Sequence, residues 1–340
     1  MKKRKLFWAV VVLLLLATAW RLSWPRFLPV MRLHGDAPPR EFFEEMVNQA
    51  DLIVLADVKS VKQGPDFVSS TGDQEPAHVG RVPTQRVTLN VVKVYQGDAA
   101  PGQTLTLYQG YVGVTWSGKL PLPFFMIDEN DPVYKRGERY VLMLIPAFIP
   151  EELKPFQPEA WQEEMFSVVY PEGRMRLNAD GTVTSVLDTF GTNGKTLEEI
   201  EEKIATTAAS LPSRLAQARA ALLTYFSVLH SQDYNEVIYF YGGSYGLLRD
   251  WNPTVDPSDY VTLFENGCKI NGLMCLEVGT VVQEEEISPH EFKFVVEFLN
   301  EDGSIFVSGP ETSPQSQFVF TVSKDENGKF LVQDLPVYAP

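Results

Sequence analysis

Histidine and cysteine are scarce in this chain: 340 residues carry four histidines and two cysteines. His34, His78, His230 and His290 stand singly, without further ligands at suitable spacing, so the pattern contains no metal-binding set. Phosphate-loop spacing is also missing from Gly102-Gln-Thr-Leu105 and Gly191-Thr-Asn-Gly-Lys195, and no cofactor is expected. Basic residues are few, 29 Lys and Arg against 44 Asp and Glu, for a formal charge of −15. Seven of those bases fall in the first 33 residues, which hold no acid, so the remainder carries 22 bases against 44 acids. A body this acidic repels phosphate backbones, which excludes nucleic acid as a partner. No internal repeat is present. Charged residues at 21% are too few for a disordered chain, and 44% hydrophobic residues can build real cores. The length predicts two domains with connecting material.

The first segment carries an address. Lys2 to Lys5 form a basic cluster, followed by Leu6 to Trp20 with Thr18 as the one polar residue, and then Arg21. This is the pattern of an export signal with its basic end in the cytoplasm. At about 1.5 Å per residue the run spans roughly 22 Å, short of the roughly 30 Å hydrocarbon core unless Leu22 to Trp24 extend it. Two fates stay open for residues 1–27. Ala17-Thr18-Ala19 offers a cleavage site after Ala19, giving a secreted protein; Trp8, Trp20 and Trp24 suit interfacial anchoring of an uncleaved helix in the cytoplasmic membrane. No Cys follows the apolar run, so lipid modification is not indicated. Either fate places the rest of the chain outside the cytoplasm, where Cys268 and Cys275, flanking an Asn271-Gly272 turn, are expected to form a disulfide rather than two free thiols.

After a linker at 28–40, residues 41–190 contain short runs rich in Val, Leu and Tyr: Leu52 to Val61, Arg86 to Tyr95, Thr104 to Tyr108, Arg139 to Pro146, Phe166 to Tyr170 and Thr182 to Leu187. Gly, Pro, Asp and Asn punctuate them, the pattern of a β-barrel or sandwich. Glu41 to Ala50 predicts a lead-in helix with Phe42, Phe43 and Met46 on one face, and the polar stretches Gln63 to Gly80 and Glu151 to Gln162 read as loops. Thr196-Leu-Glu-Glu199 is a capping box that opens a helical linker over 191–211. Residues 212–340 run helices first and strands after. Asp233 is placed to start a helix ending near Gly242, and Asp256-Pro257 to start another. Phe292, Phe294, Val296 and Phe298, then Phe318, Phe320 and Val322, alternate with polar or smaller residues, predicting an antiparallel sheet with helices on one face.

Three stretches of the second half, Leu223-Thr-Tyr-Phe-Ser-Val-Leu229, Asp233-Tyr-Asn-Glu-Val-Ile-Tyr-Phe-Tyr-Gly242 and Gly328-Lys-Phe-Leu-Val-Gln-Asp-Leu335, resemble the nuclear-transport-factor-2-like superfamily, which includes SnoaL-like and ketosteroid-isomerase-like proteins. The resemblance implies a cone-shaped α+β domain whose pocket serves isomerisation, dehydration, ligand binding or association in different members. No catalytic Asp or Tyr of that superfamily can be placed on a position of this chain. The first half, through Ala50 to Val58, Val87 to Gly97 and Gly137 to Leu144, is similar to extracytoplasmic barrels of the OB type, including netrin-like and metalloproteinase-inhibitor-like modules. The inhibitors' amino-terminal cysteine is missing, so their mechanism does not carry over.

One motif looks like chemistry. Gly242-Gly-Ser244-Tyr-Gly246 matches the G-x-S-x-G elbow of serine hydrolases, with Asp250, Asp256 or Asp259 and then His290 downstream in triad order. That elbow needs alternating β and α units around a parallel sheet, whereas the strands here predict an antiparallel one, so a glycine-rich turn is the simpler reading. Glu284-Glu-Glu286 lacks an ordered cation loop and reads as a solvated acidic turn. Tyr234, Tyr239, Tyr241, Tyr245, Trp251 and Tyr260 could line a pocket, with Tyr234, Tyr241 and Trp251 as the candidates, but at these spacings most are expected to be core or interface residues. The sequence therefore predicts a non-catalytic binding or assembly protein of the cell envelope. Its expected partners are the membrane through an uncleaved first segment, and a protein or a second copy through the C-terminal sheet. The alternative is a small-molecule enzyme of isomerase, dehydratase or hydrolase type working in the C-terminal pocket.

Overall fold

The computed structural model describes residues 30–33, 42–70, 79–110, 113–115, 124–128, 131–147, 165–169, 171–310, 312–325 and 328–339. Residues 1–29, with the expected export segment, and the Glu151 to Gln162 stretch lie outside them. Among the described residues no helix is long and apolar enough to cross a membrane. The chain divides into two units, residues 1–209 and 210–340.

The first unit runs β1 (Val30–Leu33), α1 (Phe43–Gln49), β2 (Leu52–Gln63), β3 (Phe67–Ser70), β4 (Val79–Val82), β5 (Thr84–Gln96), β6 (Thr104–Gly110), β7 (Gly113–Thr115), β8 (Phe124–Asp128), β9 (Arg139–Pro146), β10 (Phe166–Val168), β11 (Arg174–Leu177), β12 (Val183–Ser185) and α2 (Leu197–Ser210). Strands β6, β5, β2, β9 and β10 pair in that order, and β10 returns to β6, closing a five-stranded barrel. The closing contact is parallel, Phe166 opposite Leu107, while the other four joins are antiparallel. Closure leaves the ring without the unpaired edges that invite aggregation. Leu52 to Ala56 and Tyr140 to Leu144 are buried at every position. Alternate residues, such as Val54, Ala56, Leu142 and Leu144, fill the barrel interior with Val87, Leu89 and Leu107. The opposite face of the wall is covered as well: α1 packs on β9, and Gly173 leaves room for Met46 of α1 beside Met143 of β9. A strand buried on both faces needs a continuous apolar run, which these two strands have.

The lead-in helix buries Phe43, Met46 and Val47, but Phe42 lies outside it as an extended N-cap and is exposed. Gln63 to Gly80, expected to be a loop, contributes most of a hairpin in which β3 pairs with β4. In the capping box, the Thr196 N–H donates to Glu199 Oε2 at 2.8 Å and the Glu199 N–H to Thr196 Oγ1 at 3.2 Å. The helix it opens docks on the barrel. Ile200 and Ile204 are buried, and Glu201 accepts from Tyr95 Oη and Lys93 Nζ of β5, both at 2.7 Å.

One group in this unit works against folding. Glu172, in the short 3-10 turn Pro171–Gly173 ahead of β11, is 1% exposed and neither carboxylate oxygen has a hydrogen-bond partner. Desolvation without compensation is costly. Glu172→Met is expected to raise stability by about 1–3 kcal/mol in urea titration; a loss of stability would show that the carboxylate has a stabilising contact.

The second unit runs α3 (Arg214–His230), α4 (Tyr234–Val237), α5 (Gly246–Trp251), α6 (Tyr260–Lys269), β13 (Glu277–Ser288), β14 (Glu291–Leu299), β15 (Phe318–Lys324) and β16 (Phe330–Val332). The four strands form an antiparallel sheet in sequence order. Register shifts in the pairing of β13 with β14, at Val278/Thr280, Val281/Gln283 and Glu286/Ser288, bend the edge strand. Phe292, Phe294, Val296 and Phe298 alternate inward as their period demands, and α3 lies over them. Helix starts differ from expectation in detail. Asp233 begins a helix of four residues rather than one reaching Gly242. Asp259, not Asp256, caps α6 by accepting the Thr262 N–H, while Asp256 takes the Ser258 N–H in the preceding turn.

Cys268 and Cys275 are joined in a disulfide with their Cα atoms 5.7 Å apart, and Gly272 turns the loop between them at φ +86°. This is compatible with an extracytoplasmic location. Closing so short a loop constrains the unfolded chain by about 2–3 kcal/mol. Reduction by dithiothreitol is therefore expected to lower the denaturation midpoint of the second unit and leave that of the barrel unchanged.

Candidate functional site

The structure places the sequence candidates of the second unit on separate elements. Ser244 Oγ accepts the Gly246 N–H at 3.1 Å, and the Ser244 carbonyl accepts the Tyr241 hydroxyl at 2.9 Å. The flanking glycines serve close approach to β16: the Gly242 N–H donates to the Val332 carbonyl at 2.9 Å. A Cβ on Gly243 would stand 2.0 Å from the Gln333 carbonyl oxygen. His290 sits in the turn between β13 and β14, with its N–H on Ser288 Oγ. Strand β15 separates β14 from β16, a gap of roughly 10 Å at ordinary strand spacing, so His290 and Ser244 are not brought together. Asp256 and Asp259 are engaged in the turn and cap described above. Glu284 forms an ion pair with Arg219 at 3.6 Å. Among the described residues there is no group of three or more His, Cys, Asp or Glu placed to hold a metal ion.

Tyr234 and Tyr241 are buried in the core of the second unit, and Trp251 packs at its margin against Tyr338, ring centroids 5.1 Å apart. Tyr241 stacks on Tyr225 at 6.1 Å and meets Tyr245 and Phe264 edge-on at 5.1 Å. Burial raises the Tyr225 and Tyr241 phenols far above their ordinary range. It also pushes Tyr245 up to about 12, helped by Tyr260 and opposed by Arg249. The Tyr225 and Tyr241 hydroxyls are held neutral and donate to main-chain carbonyls: Tyr225 to Asp334 at 3.3 Å and Tyr241 to Ser244 at 2.9 Å. Beneath α3 the space is filled by rings. Phe226 meets Phe298 at 4.9 Å and Phe320 at 4.8 Å, both edge-to-face, and Phe298 meets Phe320 at 5.7 Å. Phe292 and Phe294 are fully buried in the same cluster.

Among the described residues, one concavity that gathers arginine, lysine and tyrosine side chains lies on the barrel unit. A pocket of about 500 Å³ is lined by Val133, Lys135, Glu138, Tyr140, Arg174, Arg176 and Thr184 among others. Its floor is one cross-strand row: Arg176 of β11 lies opposite Tyr140 of β9 on one side and Thr184 of β12 on the other. Period-two alternation puts Arg174 on the same face as Arg176, while Met175 between them is buried on the other. The segment between β8 and β9 supplies Pro132, Val133, Lys135 and Glu138 as a wall.

Arg174 is 3% exposed, with Nη1 donating to Asp131 Oδ1 at 2.7 Å and to the Pro132 carbonyl, and Nη2 to the Tyr140 hydroxyl at 3.3 Å. Its guanidinium lies over the Tyr134 ring at 3.5 Å and near the Tyr140 ring at 4.9 Å. Arg174 Nε has no hydrogen-bond partner. Burial pulls the Arg174 pKa down, but Tyr134, Asp131 and Tyr140 outweigh it and the net shift is upward, so the charge persists. Burial, reinforced by the hydrogen bond to Glu138, pushes Tyr140 up to about 12 against the pull of Arg174. Tyr134, fully enclosed, is raised further by the same desolvation. Glu138 accepts the Tyr140 hydroxyl and the Lys135 N–H, and touches Arg176 loosely at 3.5 Å. The arrangement can bind and orient an anion, and its phenols are too weakly acidic to move protons near neutral pH.

The strands expected from sequence stop at Tyr170 and resume at Thr182, so Arg174 and Arg176 were missed. The signal was present: Arg-Met-Arg in an extended segment sets two cations on one face of an otherwise acidic unit. Comparison with known proteins yields no match, whether to a family model, to a curated protein or to a solved structure.

Proposed function

We propose that the protein is a non-catalytic extracytoplasmic binding or assembly protein of the cell envelope, held at the cytoplasmic membrane by its first segment unless that segment is removed after Ala19. The observation that carries this reading is the interior of the second unit. A pocket enzyme of the ketosteroid-isomerase-like kind needs an open cone with a polar group inside, whereas Phe226, Phe298 and Phe320 interlock there at 4.8–5.7 Å. The finer architecture belongs to the same proposal. A five-stranded closed ring with one parallel join supports an OB-type barrel, and helices over a bent antiparallel sheet support a nuclear-transport-factor-2-like cone. Such folds are shared across many functions, so the function follows from the sites they carry.

A C-terminal alkaline phosphatase fusion is expected to be active, reporting export, and a fluorophosphonate probe is expected to leave Ser244 unlabelled. An inactive fusion contradicts the location, and labelling abolished by Ser244→Ala contradicts the non-catalytic reading.

A further inference from the structure

We infer that the pocket between β9, β11, β12 and the segment preceding β9 is a binding site for a small organic carboxylate with an apolar body. The inference rests on the reading of the protein as a binder and names the ligand class for it. Charge makes the first case. Residues 34–209 hold 15 bases against 26 acids, yet this pocket presents Lys135, Arg174 and Arg176 against a single lining carboxylate, Glu138. A cationic hollow on an acidic body attracts an anion against the surrounding field.

The pairing within the pocket sets the ligand's charge. Asp131 takes up Arg174 at 2.7 Å, and Glu138 is committed to the Tyr140 hydroxyl and the Lys135 N–H while holding Arg176 at only 3.5 Å. About one positive charge is therefore left for a ligand, which suits a monoanion better than a phosphate dianion. Arg176 is 44% exposed at the side chain and held by long bonds, to Glu138 at 3.5 Å and Asn178 at 3.4 Å. Its fork can turn to a carboxylate at little cost, the bidentate geometry that arginine favours. Thr184, directly across the ladder, uses its oxygen to accept from Asn178 Nδ2 at 2.8 Å and keeps its hydroxyl proton as a further donor.

The walls make the second case. Pro132, Val133, Val186 and the Tyr140 ring give the hollow an apolar side. A volume of about 500 Å³ falls in the range of small-molecule sites. Arg174, stacked on Tyr134 and pinned by Asp131, fixes the position of Tyr140 in the floor of the pocket and acts as a positioning residue rather than as the ligand's own contact.

The test uses the full chain and 4-fluorobenzoate as probe, read by the broadening of its ¹⁹F line. Saturable broadening is expected, with none from the neutral isostere 4-fluorobenzamide. Arg176→Gln is expected to weaken binding about tenfold to a hundredfold, the worth of a charge-assisted hydrogen bond, and Lys135→Gln to weaken it several-fold at low salt. Lys293→Gln, on the exposed sheet face of the second unit, leaves binding unchanged. Absence of saturable broadening, equal broadening by the amide, or unchanged affinity in a folded Arg176→Gln protein overturns the site. If Arg176→Gln fails to fold, the exposed Lys135 variant decides in its place. These outcomes are independent of the fluorophosphonate result, so the site can fail while the non-catalytic reading stands.

Discussion

Phe226→Ala lowers the stability of the second unit by about 3–5 kcal/mol, the usual cost of emptying a fully buried phenylalanine site. Phe226 has no exposed surface and bridges α3 to the sheet through Phe298 and Phe320. The cost has two parts: the lost transfer energy of the ring, and the void left where three rings interlocked. The backbone of β14 and β15 is fixed by consecutive ladder pairs from Glu291 to Val296, so it can collapse only partly into that void. With the chain divided at residue 209, denaturation monitored by two probes is expected to separate two transitions, and only the one belonging to the second unit should move. A cost below about 1 kcal/mol would mean that the interior is loose.

Asp131→Asn destabilises the barrel unit by about 3 kcal/mol, because it leaves the Arg174 charge buried with the Tyr rings and no carboxylate. The reverse change is milder. Arg174→Met replaces the guanidinium by a flexible apolar chain, and Asp131, with 29% of its side chain exposed, can turn to water. The double variant therefore loses less than the sum of the two single ones, the sign of a direct coupling. Asp131 lies behind Arg174, so its loss acts on binding through the position of Arg174 and Tyr140 and through the positive charge it leaves uncompensated. Additive effects in the double-mutant cycle would remove Arg174 from that positioning role.

The architecture was legible where local signals and global packing agree. Strict alternation from Phe292 to Phe298 announced the sheet, Thr196 and Glu199 announced a helix start, and the spacing of Cys268 and Cys275 across Asn271-Gly272 announced the disulfide. The continuous apolar runs Leu52 to Ala56 and Tyr140 to Leu144 read as strands, but that both their faces are covered depends on α1 and on closure of the ring, which no local window encodes. Helix α4 came out short because its expected continuation toward Gly242 is drawn into a parallel bridge between Tyr241 and Val332, a pairing 91 residues distant in the chain. The pocket was illegible for a related reason. Strand β11 is only four residues long, Arg-Met-Arg-Leu, so its polar-apolar alternation is too short to stand out. It pairs with β9 over Arg139 to Leu142, the stretch that β10 does not reach as it closes the ring, and Asp131 meets the buried charge.

On the proposed reading the interior of the second unit is filled and ligand chemistry lies elsewhere. Crystals of the protein under xenon pressure test it most directly, since xenon occupies apolar voids that water leaves empty. The account predicts no xenon among Phe226, Phe264, Phe294, Phe298 and Phe320. An ordered xenon atom there would reveal a cavity beneath α3, contradict the filled interior, and return the second unit to consideration as the pocket of an enzyme.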